Sequence, residues 1–126
     1  MSWENAPEGT QSFAVSMYDP DAPTGSGWWH WVAINVPASV TKLEQGAGSQ
    51  EGKLPAGAIM TNNDAGMPGY LGACPPEGQT HRSVITVKAL SVEKLELPAN
   101  ASGALVGFMT NMNKIGEATV TYEAGR

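Results

Sequence analysis

Residues 12–18 alternate, with Phe13, Val15 and Met17 on one side and Ala14, Ser16 and Tyr18 on the other. A period of two predicts a β-strand. Residues 19–27 carry two prolines and two glycines. Proline fixes φ and removes a backbone donor, and glycine admits left-handed turns, so this stretch is neither strand nor helix. Residues 28–36 are apolar nearly throughout and Pro37 follows, the pattern of a buried strand. Residues 38–80 read mostly as loop, with short strand-like pieces near Leu43 and at residues 58–60. Residues 83–90 alternate and are rich in β-formers, a further strand. Ala104, Leu105, Phe108, Met109, Met112 and Ile115 recur at steps of three and four, which predicts a helix over residues 100–114. Asn100 or Ser102 would cap its start and Gly116 its end. Gly103 and Gly107 leave a strand through residues 105–109 as the alternative. Residues 118–122 form a last β-rich run. The pattern predicts a mostly β fold with one helix, best matched by a β-sandwich.

The length, 126 residues, suits one domain. Hydrophobic residues make up 41% and charged residues 15%, enough apolar material for a packed core. Fifteen glycines and nine prolines point to many turns and short strands. A net charge of −5 argues against nucleic acid, whose binding needs a basic surface, and against a polybasic membrane patch. An anionic ligand would need a local site working against the overall field. Cys74 is the only cysteine, which excludes an intrachain disulfide but not a redox compartment. No apolar run approaches a membrane span of about 20 residues. Residues 1–7 show neither the basic start nor the apolar stretch of a signal peptide, and localisation stays open. Nothing in the sequence implies a cofactor.

The candidate chemistry gathers at three points: Asp19 and Asp21 after the first strand, His30 within Trp28, Trp29 and Trp31, and His81 before the strand at residues 83–90. These are the only two histidines. Each point has a plain structural reading. An Asp-Pro-Asp turn commonly uses its carboxylate to accept a backbone N–H two residues on. A histidine among tryptophans is commonly a core residue, and His81-Arg82 a surface one. Strict alternation would set Trp28 and His30 on one face and Trp29 and Trp31 on the other. If the loop at 19–27 folds back over the second strand, Asp21 becomes the neighbour of His30, and a carboxylate there favours the charged imidazole. Two imidazoles with the free N–H groups of glycine-rich loops would make an anion pocket, walled by Trp28.

The runs Asp19-Pro-Asp-Ala-Pro-Thr24, Gly27-Trp-Trp-His-Trp-Val32 with Asn35 and Pro37, and Gly69-Tyr-Leu-Gly-Ala-Cys-Pro-Pro-Glu-Gly78 with His81-Arg82 resemble the phosphatidylethanolamine-binding protein family. That family includes the Raf kinase inhibitor proteins of animals. The resemblance runs from about residue 2 to the end, and the tail from Asn100 to Phe108 is similar to the bacterial branch. It implies a β-sandwich with a small cavity for phosphate-bearing or carboxylate anions. Carried onto this chain, the cavity falls to Asp19, Asp21, Trp28, His30, Gly72, Pro76 and His81. The histidines would donate to the anion, and the aspartates would orient and polarise the site. The resemblance implies no cofactor, no metal and no catalytic residue, and it allows a protein partner for a kinase-inhibitor-like regulator. Two departures stand out: Ser83 replaces the aromatic residue usual after His-Arg, and Cys74 occupies a position usually held by glycine or another small residue.

Other readings rest on less. A hydrolase would pair an Asp–His base with Ser83 or Cys74, but no Gly-x-Ser-x-Gly elbow is present. A metal site would draw on His30, His81 and Asp21, and a carbohydrate site on the tryptophans. A structural remnant without ligand is the remaining alternative. Family members carry strands ahead of the segment matching residues 2–7, and their loss would bare a sheet edge. The expectation is a homodimer that covers this edge. Size-exclusion chromatography with light scattering checks it: a mass of two chains supports it, and a stable monomer counts against it.

Overall fold

In the computed structural model the described residues are 6–21, 27–39, 58–64, 66, 80–98 and 100–125. The alternating segment forms β1 (Ser12–Asp19) and the apolar run forms β2 (Trp28–Pro37). A short β3 (Ile59–Met60) follows, then β4 (Thr80–Leu90), α1 (Gly103–Asn113) and β5 (Lys114–Gly125). Among the described residues the strands make one antiparallel sheet in the order β3-β2-β1-β4-β5. The mostly β class with one helix is therefore as expected. The expected piece near Leu43 lies outside the described residues.

Three boundaries differ from the sequence expectation. β4 begins at Thr80, because residues 80–82 pair with residues 123–125 of β5, so His81 lies within a strand. Gly116 does not end the helix; it pairs with Ala89 inside β5. The helix passes directly into β5 through Lys114, whose backbone is extended. It needs no left-handed glycine, since the Asn113 carbonyl accepts from the backbone N–H of Ser91 at 2.9 Å and its hydroxyl at 3.2 Å. Asn113 itself donates from Nδ2 to the Met109 carbonyl. At the other end Ser102 caps the helix, accepting from Leu105 N–H at 3.1 Å.

Both faces of the sheet carry buried clusters. Ala14, Val32, Ile34 and Leu90 pack with Val106 of α1 on one side. Val15, Trp31, Ala33 and Met60 pack on the other, beside Phe13, Val36 and Ala89. Burying a side chain such as Ile34 or Leu90 contributes about 1.5–3 kcal/mol.

The helix packs by a face its apolar stripe did not suggest. Gly103, Val106 and Thr110 are buried, whereas Phe108 and Met112 are 63% and 68% exposed. Small residues let the helix approach closely: a Cβ at Gly103 would collide with the Trp29 indole. Lys88 of β4 ties the same face, donating from Nζ to Thr110 Oγ1 at 3.1 Å and Asn111 Oδ1 at 3.0 Å. Burial lowers the pKa of this lysine below its usual value.

The expected result of Gly103→Ala is a loss of about 1–3 kcal/mol, the usual cost of overpacking. Urea denaturation measures it, and a variant as stable as the parent contradicts this helix–sheet contact.

Candidate functional site

The lengths of β1 and β2 do not match. Ser12–Asp19 pairs with Trp28–Pro37, and the register slips twice, between Phe13 and Val15 and between Met17 and Tyr18. Each slip places one extra residue in β2. The first involves Asn35, a non-glycine residue at φ 60°. Its amide is locked to Leu95, accepting from the backbone N–H at 2.8 Å and donating to the carbonyl at 3.4 Å. The second is at His30: Met17 faces Trp31 and Tyr18 faces Trp29, with His30 between. A bulge of this kind re-aims side chains.

The bulge corrects the expected alternation. Trp29 packs on the helix side with Val32 and Ile34, while Trp31 packs on the opposite side with Val15 and Ala33. The two tryptophans do not share a face, so alternation does not set Trp28 beside His30. Trp28 faces Asp19 across the β1–β2 ladder and is half-buried. Just before it Gly27 sits at φ 81°, where a Cβ would collide with the Tyr18 hydroxyl. The Tyr18 ring lies 4.4 Å from that of Trp29.

The predicted carboxylate–imidazole pair exists, with other members. Asp19 Oδ2 lies 2.7 Å from His81 Nδ1, and both side chains are 7% exposed. Asp19 Oδ1 accepts the backbone N–H of Asp21 at 2.8 Å. The turn reading and the site reading therefore both hold at Asp19, one oxygen each. Asp21 does not serve His30. Its carboxylate accepts from Arg82 Nε at 3.0 Å, Nη2 at 2.9 Å and backbone N–H at 2.8 Å. The reason is register: Asp19 and Asp21 at the end of β1 meet His81 and Arg82, adjacent residues of its neighbour β4. The fork of Arg82 holds the Asp21 carboxyl down at about 2, far below its ordinary 3.8. With Asp21 so engaged, the proposed His30, His81 and Asp21 metal set does not form. No group of three metal-binding side chains occurs among the described residues.

His30 is 6% exposed, and neither Nδ1 nor Nε2 has a hydrogen-bond partner among the described residues. Trp31 Nε1 and Thr61 Oγ1 are buried in the same condition. Gly72, Pro76 and Cys74 lie outside the described residues. Ser83 is buried at 3% within β4.

Two residues here escaped the sequence reading. Arg82 clamps Asp21, and its adjacency to a candidate histidine is the one sequence signal for it. Asp64 accepts the Trp29 N–H at 2.8 Å and returns its own N–H to the Trp29 carbonyl at 3.0 Å. Nothing in the sequence links positions 35 residues apart. An open cleft of about 530 Å³ at the other end of the sheet, with Thr10, Gln11, Asn35, Glu93 and Lys94 on its walls, holds none of the candidate residues.

The phosphatidylethanolamine-binding protein family model matches residues 1–124. YbcL of Escherichia coli (strain K12) is 54% identical over 123 residues, covering 96% of this chain and 67% of YbcL. YbhB of the same organism is 49% identical over 121 residues, covering 96% of this chain and 77% of YbhB. The crystal structure of Escherichia coli YbcL, a new member of the mammalian PEBP family, matches with a TM-score of 0.95 at 53% identity. That match covers 99% of this chain and 77% of the solved one. The putative PEBP homolog CT736 of Chlamydia trachomatis matches in fold, with a TM-score of 0.83 at 24% identity over 99% of this chain and 78% of that one.

The Asp21 carboxyl should titrate near pH 2 in ¹³C NMR. Because its folded pKa is depressed, the Arg82 clamp is complete above the ordinary 3.8 and is lost as pH falls through about 2. Arg82→Ala should return the midpoint towards 3.8. A parent midpoint already at 3.8 contradicts the clamp.

Proposed function

Because the chain belongs to the phosphatidylethanolamine-binding protein family, we propose that it is a binding protein for a small anion, a phosphate-bearing headgroup or a carboxylate. The observation that carries this reading is His30, buried with both ring nitrogens unpaired among the described residues. An anion accepting from this imidazole would remove the cost of leaving it unsatisfied. His81 supports the same chemistry from β4. Asp19 Oδ2 lies 2.7 Å from its Nδ1 and so fixes the orientation of the ring. The Asp21–Arg82 pair restrains the turn after β1 from the solvent side.

This reading assigns Asp19 to orienting His81, and Asp21 to holding the turn through Arg82. Trp28, opposite Asp19, would wall the site, and Gly72 and Pro76 would complete it as the family resemblance implies. It names no catalytic residue. A kinase-inhibitor-like role towards a protein partner, and a homodimer, are extensions of the proposal that rest on the family alone.

Titration calorimetry at pH 6–7 with inorganic phosphate, acetate and phosphoethanolamine tests the site. The expected result is binding of at least one of them, weakened about ten-fold or more by His30→Ala, the scale of one lost hydrogen bond to a charged group. No binding by the parent protein, or equal affinity in the variant, removes the proposal.

A further inference from the structure

We infer that Asp64 is a positioning residue whose carboxylate, standing in for a backbone carbonyl, fixes the bulge that presents His30. The inference deepens the anion-site reading and rests on it for the meaning of affinity, though not for the geometry.

The two edges of β2 are held differently. Along the β1 edge the ladder slips at His30, so β1 leaves that residue without a one-to-one partner. Along the β3 edge two residues pair directly and two further backbone bonds follow. Ile34 pairs with Ile59 and Ala33 with Met60. Thr61 N–H then donates to the Val32 carbonyl at 3.0 Å, and Asp64 N–H to the Trp29 carbonyl at 3.0 Å. Thr61 and Asp64 thus hold the carbonyls of Val32 and Trp29, which flank His30 and Trp31. This edge is what keeps the extra residue of β2 from sliding along the strand.

The final rung is unusual. In an antiparallel hydrogen-bonded pair two residues exchange N–H and C=O groups in both directions. Asp64 returns its backbone N–H, but the Trp29 N–H is accepted by Asp64 Oδ2 at 2.8 Å. The carboxylate completes the pair while leaving the Asp64 backbone free to enter the turn closed by Gly66 N–H to Asn63 C=O at 3.0 Å, with Gly66 at φ 83°. A carboxylate accepts more strongly than a carbonyl, so the last rung before the bulge is reinforced. On its other side Trp29 is held by Tyr18 and by Gly103 of α1. The residue preceding His30 is thus fixed through its backbone by Asp64 and through its ring by Tyr18 and α1, and His30 leaves the strand in one direction.

Three variants test this, read by the ¹⁵N signals of the His30 ring and by affinity for inorganic phosphate. Asp64→Ala removes the acceptor. Asp64→Glu keeps the charge and displaces the carboxylate by one methylene. Asp64→Asn keeps an acceptor oxygen in place. The expected result is altered His30 ring signals and about ten-fold weaker phosphate binding in the Ala and Glu variants, the scale of one charge-assisted hydrogen bond, with near-parental behaviour in the Asn variant. If the Ala variant does not fold, the contrast between Glu and Asn decides. If the parent does not bind phosphate, the anion-site reading fails and the ring signals alone decide the role of Asp64. Unchanged His30 signals in Ala or Glu variants, even with lowered thermal stability, overturn it.

Discussion

Ten residues of β2 lie against eight of β1, and much of the site's geometry follows from accommodating that mismatch. Two residues have to leave the ladder, and each bulge they form exchanges the two faces of the strand. Trp31 and Ala33 therefore look away from the helix while Trp29 on one side and Val36 on the other do not follow the simple alternation. One bulge is held by Asn35, whose amide is committed to Leu95. The other places a buried histidine with both nitrogens unpaired among the described residues. Left without a partner, such a group would cost about 1–3 kcal/mol, which the surrounding β packing would have to offset. That cost is tolerable in a sheet whose β1 is paired on both sides.

Charge at the end of β1 is arranged in pairs. Two aspartates separated by one proline take two adjacent residues of β4, one pair buried and one at the surface. The buried Asp19–His81 pair is the more consequential. Breaking a buried pair typically costs about 3–5 kcal/mol, whereas an exposed pair such as Asp21–Arg82 contributes little to stability. The exposed pair acts instead on geometry, restraining the turn that carries the buried one. In a chain of net charge −5, each of these two carboxylates is thereby matched to a neighbouring basic side chain.

The strands were legible because alternation and β-branched content survive in single segments such as residues 12–18. The helix was legible too, though for a misleading reason. Its stripe of Leu105, Phe108 and Met112 gave the right period, yet the packed face is Gly103, Val106 and Thr110. Close approach to Trp29 selects small residues there, and periodicity alone cannot distinguish an apolar face that packs from one that does not. Asp19, Asp21, His30 and His81 stand out by residue type, position after a strand and family likeness. Their partners were misassigned, because a single-strand argument gives no register between β1 and β4.

The sequence by itself determined the class of fold and the approximate element boundaries. These follow from local periodicity and composition, which any one segment carries. The tertiary structure decided which carboxylate meets which imidazole, where alternation breaks, and that Asp64 reaches back 35 residues to hold Trp29. These depend on register between strands distant in sequence, and register is a property of packed neighbours. Strand β2 shows the difference most directly: its residues announce a buried strand, and only its mismatch with β1 sets His30 in a bulge.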